Sequence, residues 1–255
     1  MEATVSGLLQ GSSGTGLRPG SQGSGLAVVQ PVDWHTLFWA GGPLMQAEGY
    51  GSSDPITSWP NETGESSYTT AVGPPTYQTG QFGIWGKPCI QFLGSAYLRT
   101  PAFLVNPTYP ITRIMVVDIA ATPTGEDFLT DGITNTGRNR IMQSSSMGGS
   151  WSIGASSGSS AAGVGPFTGS FGVRAVFDGS TGPDTLYLNG AYKVGATDSG
   201  SETLTGLTLA ADYAGANNFS NFKVAFDAIY EGDIITDPGW PDLQAWILDQ
   251  YNVVI

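Results

Sequence analysis

The chain has one cysteine, one histidine and three lysines among its 255 residues. Each shortage excludes a class of chemistry. A lone thiol, Cys89, cannot close an intrachain disulfide, so no disulfide framework staples the fold. Flanked by Pro88 and Ile90, it reads as a small buried hydrophobe. One histidine and one cysteine are poor material for zinc, which takes three or four such ligands or carboxylates. Any Ser-His-Asp or Cys-His nucleophile would have to be built on His35. That residue lies in Trp34-His-Thr-Leu-Phe-Trp39, a run that reads as a strand entering a core. A packed or hydrogen-bonded imidazole is expected there rather than a general base.

Charge is scarce too. Only 12% of residues are charged, and nine basic against 21 acidic side chains leave a net charge of −12. That field repels phosphate backbones and anionic bilayers, so no nucleic-acid partner is expected. No apolar run reaches the 18 or so residues that a membrane helix needs, so no membrane insertion is expected either. The start, Met-Glu-Ala-Thr-Val-Ser, lacks a basic n-region, and the expectation is a chain made in a cytoplasm without a signal peptide. No phosphate-binding GxxxxGK[ST] loop occurs, and no GxGxxG follows a strand. Nor is there an E-x-D-x-x-E pattern of the kind that lines glycosidase strands in sandwich folds. Glu126 and Asp127 are adjacent and point to opposite faces of any strand. Asp227 and Glu231, four apart, are the remaining pair on which a hydrolase would rest.

What is abundant is glycine and proline, 37 and 16 residues, which long helices do not tolerate. Residues 11–25, GSSGTGLRPGSQGSG, contain six Gly and four Ser and read as part of a flexible or partner-ordered arm over residues 1–30. From residue 31 to 255, short strand candidates alternate with turn residues. Cys89–Leu93 and Ala96–Arg99 read as a strand pair turning at Gly94-Ser95. Residues 111–120 are β-branched with an unbroken apolar stretch from Ile114 to Val117, as in a strand buried on both faces. Phe171–Phe177 runs into Asp178-Gly179, and Leu186–Val194 turns at Asn189-Gly190. Val224–Tyr230 alternates cleanly. One helix is expected over 241–251, with Leu243, Trp246, Ile247 and Tyr251 on one face. Residues 144–170, with ten Ser and seven Gly, form a second small-residue segment around Trp151-Ser-Ile-Gly154. The pattern predicts an all-β protein, an antiparallel two-sheet jelly-roll sandwich with a short C-terminal helix. Asp131, Asp178, Asp184, Asp212 and Asp233 fall in turn-like surroundings, where carboxylates shape turns and calcium is the one cofactor to consider.

Several pieces in order carry a family resemblance: Asp54-Pro-Ile-Thr-Ser-Trp59-Pro-Asn-Glu-Thr-Gly64, Pro74-Pro-Thr-Tyr77, Gly86-Lys-Pro-Cys-Ile-Gln-Phe-Leu-Gly94 with Tyr97-Leu98, Phe177-Asp-Gly179 with Leu186-Tyr-Leu-Asn-Gly190, and Trp246-Ile-Leu-Asp-Gln-Tyr251. Over about residues 34–252 the chain resembles the concanavalin A-like lectin/glucanase jelly roll in its laminin-G-like form, common in bacterial surface and phage virion proteins. It departs from the pattern at Asp54-Pro55, where the family has Gly, and at Phe171, where a Trp is usual. No glucanase carboxylate motif matches. The resemblance implies a non-catalytic virion protein, a minor tail or tail-associated component. Such a protein would bind other virion proteins through its arm, form a homo-oligomer and recognise host-surface carbohydrate. Its alternatives are a purely architectural capsid or tail decoration protein and a glycan hydrolase. Sugar recognition needs an aromatic face beside planar polar groups. Two groupings fit from sequence: Trp151 with Arg138, Asn139 and Arg140, and Tyr213 with Asn217 and Asn218.

Overall fold

The computed structural model describes residues 34–64, 66–82, 86–121, 123–145, 150–155, 160–161, 168–179, 183–195, 203–215 and 220–255. The expected arm, residues 1–30, lies outside them. In chain order the elements are β1 (Trp34–Trp39), α1 (Pro43–Ala47), β2 (Ser58–Trp59), β3 (Tyr68–Val72), β4 (Thr76–Phe82), β5 (Lys87–Gln91) and β6 (Tyr97–Arg99). There follow β7 (Ile111–Ile119), β8 (Glu126–Gly132), β9 (Asn139–Ser144), β10 (Ser150–Ala155), β11 (Ser160–Ala161) and β12 (Gly169–Phe177). The chain ends with β13 (Thr185–Leu188), β14 (Ala191–Gly195), β15 (Leu207–Leu209), β16 (Phe222–Glu231), a 3-10 turn at Ile234–Thr236 and α2 (Trp240–Tyr251).

The strands form two antiparallel sheets of eight. The first runs β14-β13-β12-β7-β16-β5-β4, with β1 and β5 sharing one edge of β16 end to end; the second runs β11-β10-β9-β8-β15-β6-β3-β2. Their inner faces enclose one apolar layer that includes Phe38, Trp59, Phe92, Met115, Val117, Trp151, Phe177 and Leu209. A second layer lies on the outer face of the first sheet, under α2. β7 serves both. Met115, Val117 and Ile119 point between the sheets while Ile114 and Val116 meet the helix, which is why its apolar run is continuous instead of alternating.

α2 follows from its spacing. A proline in the first turn leaves no helical hydrogen bond unmade, Leu243, Ile247 and Tyr251 are buried, and Asn252 ends the helix in the left-handed conformation. Trp39 fastens it to β1 by donating its indole N–H to the Tyr251 hydroxyl, 2.8 Å away. Among the described residues no helix is long and apolar enough to cross a membrane. The Asn189-Gly190 hairpin forms as expected between β13 and β14, with φ of 48° and 74° at its two central residues. One expected pairing fails. β5 and β6 lie in different sheets, so the turn at Gly94 carries the chain across the sandwich rather than back along a ladder.

Candidate functional site

Alternation along β9 sorts the first group of sequence-nominated residues. Asn139 and Ile141 face the core: Asn139 accepts a 2.9 Å hydrogen bond from the Tyr109 hydroxyl, and Ile141 packs in the apolar layer. Trp151, on neighbouring β10, also points inward, 0% exposed and edge-on to Phe171 at 5.9 Å. A ring so placed offers no face to a ligand, so Trp151 is a core residue and not a stacking platform. The odd parity of its position, paired across the ladder with Gln143, is what turns it inward.

Arg138 and Arg140 share the other parity and lie on the outer side of the second sheet. Arg138 is nonetheless buried, its Nε 3.0 and 3.1 Å from the two Asp131 oxygens and its guanidinium over the rings of Tyr213 (4.6 Å) and Phe128 (5.4 Å). Asp131 also accepts from the backbone N–H of Gly132 and of Tyr213, at 2.8 and 3.1 Å. Arg99 donates to the Tyr213 carbonyl and, at 3.1 Å, to Thr208. The structure thus joins Tyr213 to Arg138, which the sequence placed in separate groupings. The result is a closed clamp that holds the 210–215 loop on the sheet. Burial pushes the Asp131 carboxyl up against the opposing pull of Arg138, and burial with the nearby Arg138 charge pushes the Arg140 guanidinium down. Asn217 and Asn218 lie outside the described residues.

The turn aspartates serve the backbone. Asp212 accepts from the Gly215 N–H at 2.9 Å, Asp184 from the Asp178 N–H at 3.0 Å, and Asp233 caps the 3-10 turn through the Ile235 N–H. Among the described residues no three His, Cys, Asp or Glu side chains gather as a metal cluster would require. The acid pair Asp227 and Glu231 is divided as well. Asp227 is sealed between the sheets, accepting from Arg113 Nε and Nη2 at 2.9 and 2.7 Å and from the Tyr68 hydroxyl at 2.8 Å. Glu231 stands at the rim, where it meets His35 Nδ1 at 3.0 Å and accepts from Thr108 at 2.8 Å.

An open arrangement of the required kind lies on the first sheet instead, beside α2. Leu186 and Leu188 of β13 face the core, so Tyr187 faces out, and ladder register sets it opposite Tyr192 of β14 and Arg174 of β12. The two tyrosine rings meet edge to face at 5.6 Å. Tyr192 is 58% exposed, the most exposed large aromatic among the described residues. Arg174 lays its guanidinium 3.8 Å over the Tyr187 ring and 5.6 Å from that of Trp240, the first residue of α2. An aromatic face, a planar donor and an exposed rim therefore stand in one row across three strands. The spacing Tyr-x-Asn-Gly-x-Tyr carried half of this signal, since residues two before and two after a two-residue turn share a face. Arg174 could not be read from it, because its place depends on the β12–β13 register.

No protein-family model and no curated protein sequence matches the chain. Solved structures do match. Domain 4 of AbnA, a GH43 extracellular arabinanase from Geobacillus stearothermophilus in complex with arabinotriose, superposes with a TM-score of 0.55 at 15% identity, over 80% of this chain and 94% of that one. Trypanosoma rangeli sialidase in complex with the inhibitor DANA gives 0.52 at 13%, over 80% of this chain and 31% of that one. The binding domain of botulinum neurotoxin serotype D gives 0.51 at 11%, over 78% and 51%. The chain spans about a third of the length of the sialidases it matches. At these identities what is shared is the fold, a β-sandwich.

Proposed function

We propose that the chain is a non-catalytic carbohydrate-binding β-sandwich, carried on a phage virion as a minor tail or tail-associated protein and directed at host-surface glycan. The row Tyr192–Tyr187–Arg174 carries the reading: an exposed ring for the C–H face of a sugar, with a planar cation held alongside it. The sandwich shared with an arabinanase domain solved with arabinotriose bound supports it at the level of fold. The Gly/Ser-rich 11–25 segment supports attachment of the N-terminal arm to other virion proteins. The absence of a catalytic role is supported by the separation of Asp227 from Glu231 and by the engagement of each with its own partners. Ile235, Leu248 and Val254, exposed on the α2 side of the same sheet, favour a second reading in which this side docks on protein within the particle.

Retention of the purified protein on arrayed glycans and host cell-wall polysaccharide tests the proposal. Tyr192→Ala is expected to lower retention roughly 3- to 10-fold, the range of a lost aromatic contact, with the melting temperature unchanged. No release of reducing ends is expected on prolonged incubation. Wild-type protein that no glycan retains, yet that enters particles through its α2 side, would establish the architectural reading instead.

A further inference from the structure

We propose that the saccharide this site takes is acidic, and that its carboxylate docks on Arg174. The inference rests on the carbohydrate-binding reading and names the ligand class within it. Three arginines of the sandwich invite comparison. Arg113 and Arg138 each hold a buried carboxylate on two nitrogens, Asp227 and Asp131 respectively, at hydrogen-bonding distance. Arg174 is buried about as deeply as Arg138, 9% exposed, but its charge partner stands off: Nη1 is 3.8 Å from Asp233 Oδ1, beyond a hydrogen bond, and among the described residues Nε has no acceptor. Arg113 also keeps one nitrogen, Nη1, without an acceptor among the described residues, so what sets Arg174 apart is the lack of a close carboxylate. A guanidinium in that state is matched by a planar two-oxygen acceptor, which is a carboxylate.

The surroundings fix how such a ligand would lie. The face of Tyr187 is occupied by the guanidinium itself, which leaves the exposed Tyr192 ring for stacking. The guanidinium lies 3.8 Å from the Tyr187 ring and that ring 5.6 Å from Tyr192, so the Tyr192 ring and the cation stand at most about 9 Å apart. A sugar unit stacked on Tyr192 therefore reaches Arg174 with a carboxylate on its own side chain or on the next unit. A chain of net charge −12 repels anions at long range, so selection must come from the local fork rather than from overall attraction. Among the described residues Asp233 is the carboxylate within 4 Å of the guanidinium. Its carboxylate is committed to capping the 3-10 turn, which holds it short of the guanidinium.

The test compares oligogalacturonate and sialyllactose, each as the acid and as its carboxyl-reduced form, by calorimetry or retention. The two acids separate a uronate from a sialate source of the same group. Wild-type protein is expected to bind at least one acid about 10-fold or more tightly than its reduced form. Arg174→Gln is expected to erase that preference, so that the variant binds the acid and its reduced form alike. Asp233→Asn is expected to tighten the acid a few-fold and leave the reduced form alone, a gain that loss of fold cannot imitate. Equal binding of acid and reduced forms, insensitive to both substitutions, overturns this inference and leaves the carbohydrate reading standing. Binding of no saccharide at all overturns both.

Discussion

Cys89 lies in β5 under α2, packed with Phe82 and Tyr251, and burial pushes its thiol up to about 12. The native thiol is therefore both covered and un-ionised at any pH where thiol reagents are normally used. In the unfolded chain the same thiol ionises near pH 8.5. Between that value and about 12 the unfolded state has released a proton that the native state keeps, so stability falls as pH rises. The slope from this residue is about 1.4 kcal/mol per pH unit across that window, and the contribution is fully present below it. Two measurements check the argument. Ellman's reagent is expected to leave the folded protein unlabelled at pH 9 and to label one thiol per chain in guanidinium chloride. Urea unfolding of Cys89→Ala against wild type is expected to show a stability difference that shifts in favour of the variant as pH is raised from 8 to 11. A native thiol that reacts rapidly at pH 9 would contradict the placement of β5 beneath the helix.

The β13–β14 hairpin is the element on which the site stands. Its Asn189 and Gly190 both take positive φ, the condition for a two-residue turn that matches strand twist. Gly190 is needed twice over: φ is 74°, and a Cβ there would meet Val254 Cγ1 at 2.9 Å. Gly190→Ala is expected to destabilise the protein by about 1 kcal/mol or more in urea unfolding. Adding Val254→Ala should return the part due to the collision but not the part due to the backbone. This hairpin, β7, β12 and α2 were legible in the sequence because local patterning specifies each: a turn dipeptide, a β-branched run, an alternating strand, a helical stripe. β16 was found as a strand, but a bulge between Val224 and Phe226 breaks its expected alternation and turns the two to opposite faces. The β5–β6 pairing was misread because local patterning cannot say to which sheet a strand belongs. Gly94 provides an equally good turn within a sheet or between two. The site was half legible for the same reason. Tyr187 and Tyr192 are related by a short turn, whereas Arg174 and Trp240 reach them only through sheet register and helix docking. Trp151 misled because aromatic residues in small-residue segments look exposed until strand parity is known.

At the scale of the whole molecule, the two sheets are tied by charge as well as by apolar packing. Arg113 of β7 and Asp227 of β16 belong to one sheet, Tyr68 of β3 to the other, and all three are closed from solvent. Tyr68 donates to Asp227 at 2.8 Å and accepts from Arg113 at 3.1 Å, while Phe38 and Trp59 pack against its ring. Burial raises the Tyr68 hydroxyl well above its ordinary value, aided by the Asp227 charge. Burial lowers the Arg113 guanidinium, but the Asp227 charge outweighs it and raises the group overall. Taking two charges out of water is costly, and their attraction roughly offsets that cost only while both are present. Arg113→Met alone strands an uncompensated carboxylate and is expected to cost about 3–5 kcal/mol. The triple change Arg113→Met, Asp227→Leu, Tyr68→Phe removes the charges together and is expected to recover most of that loss, or to exceed wild type, in urea or thermal unfolding. If the three groups instead select one pairing of the sheets among several, the triple variant would be stable yet would unfold with reduced cooperativity. A lower denaturant slope at equal or higher midpoint would be the sign of it. Full recovery with an unchanged slope would mean that apolar shape alone aligns the sheets, and that the platform on the far side of the first sheet owes its geometry to packing rather than to the buried pair.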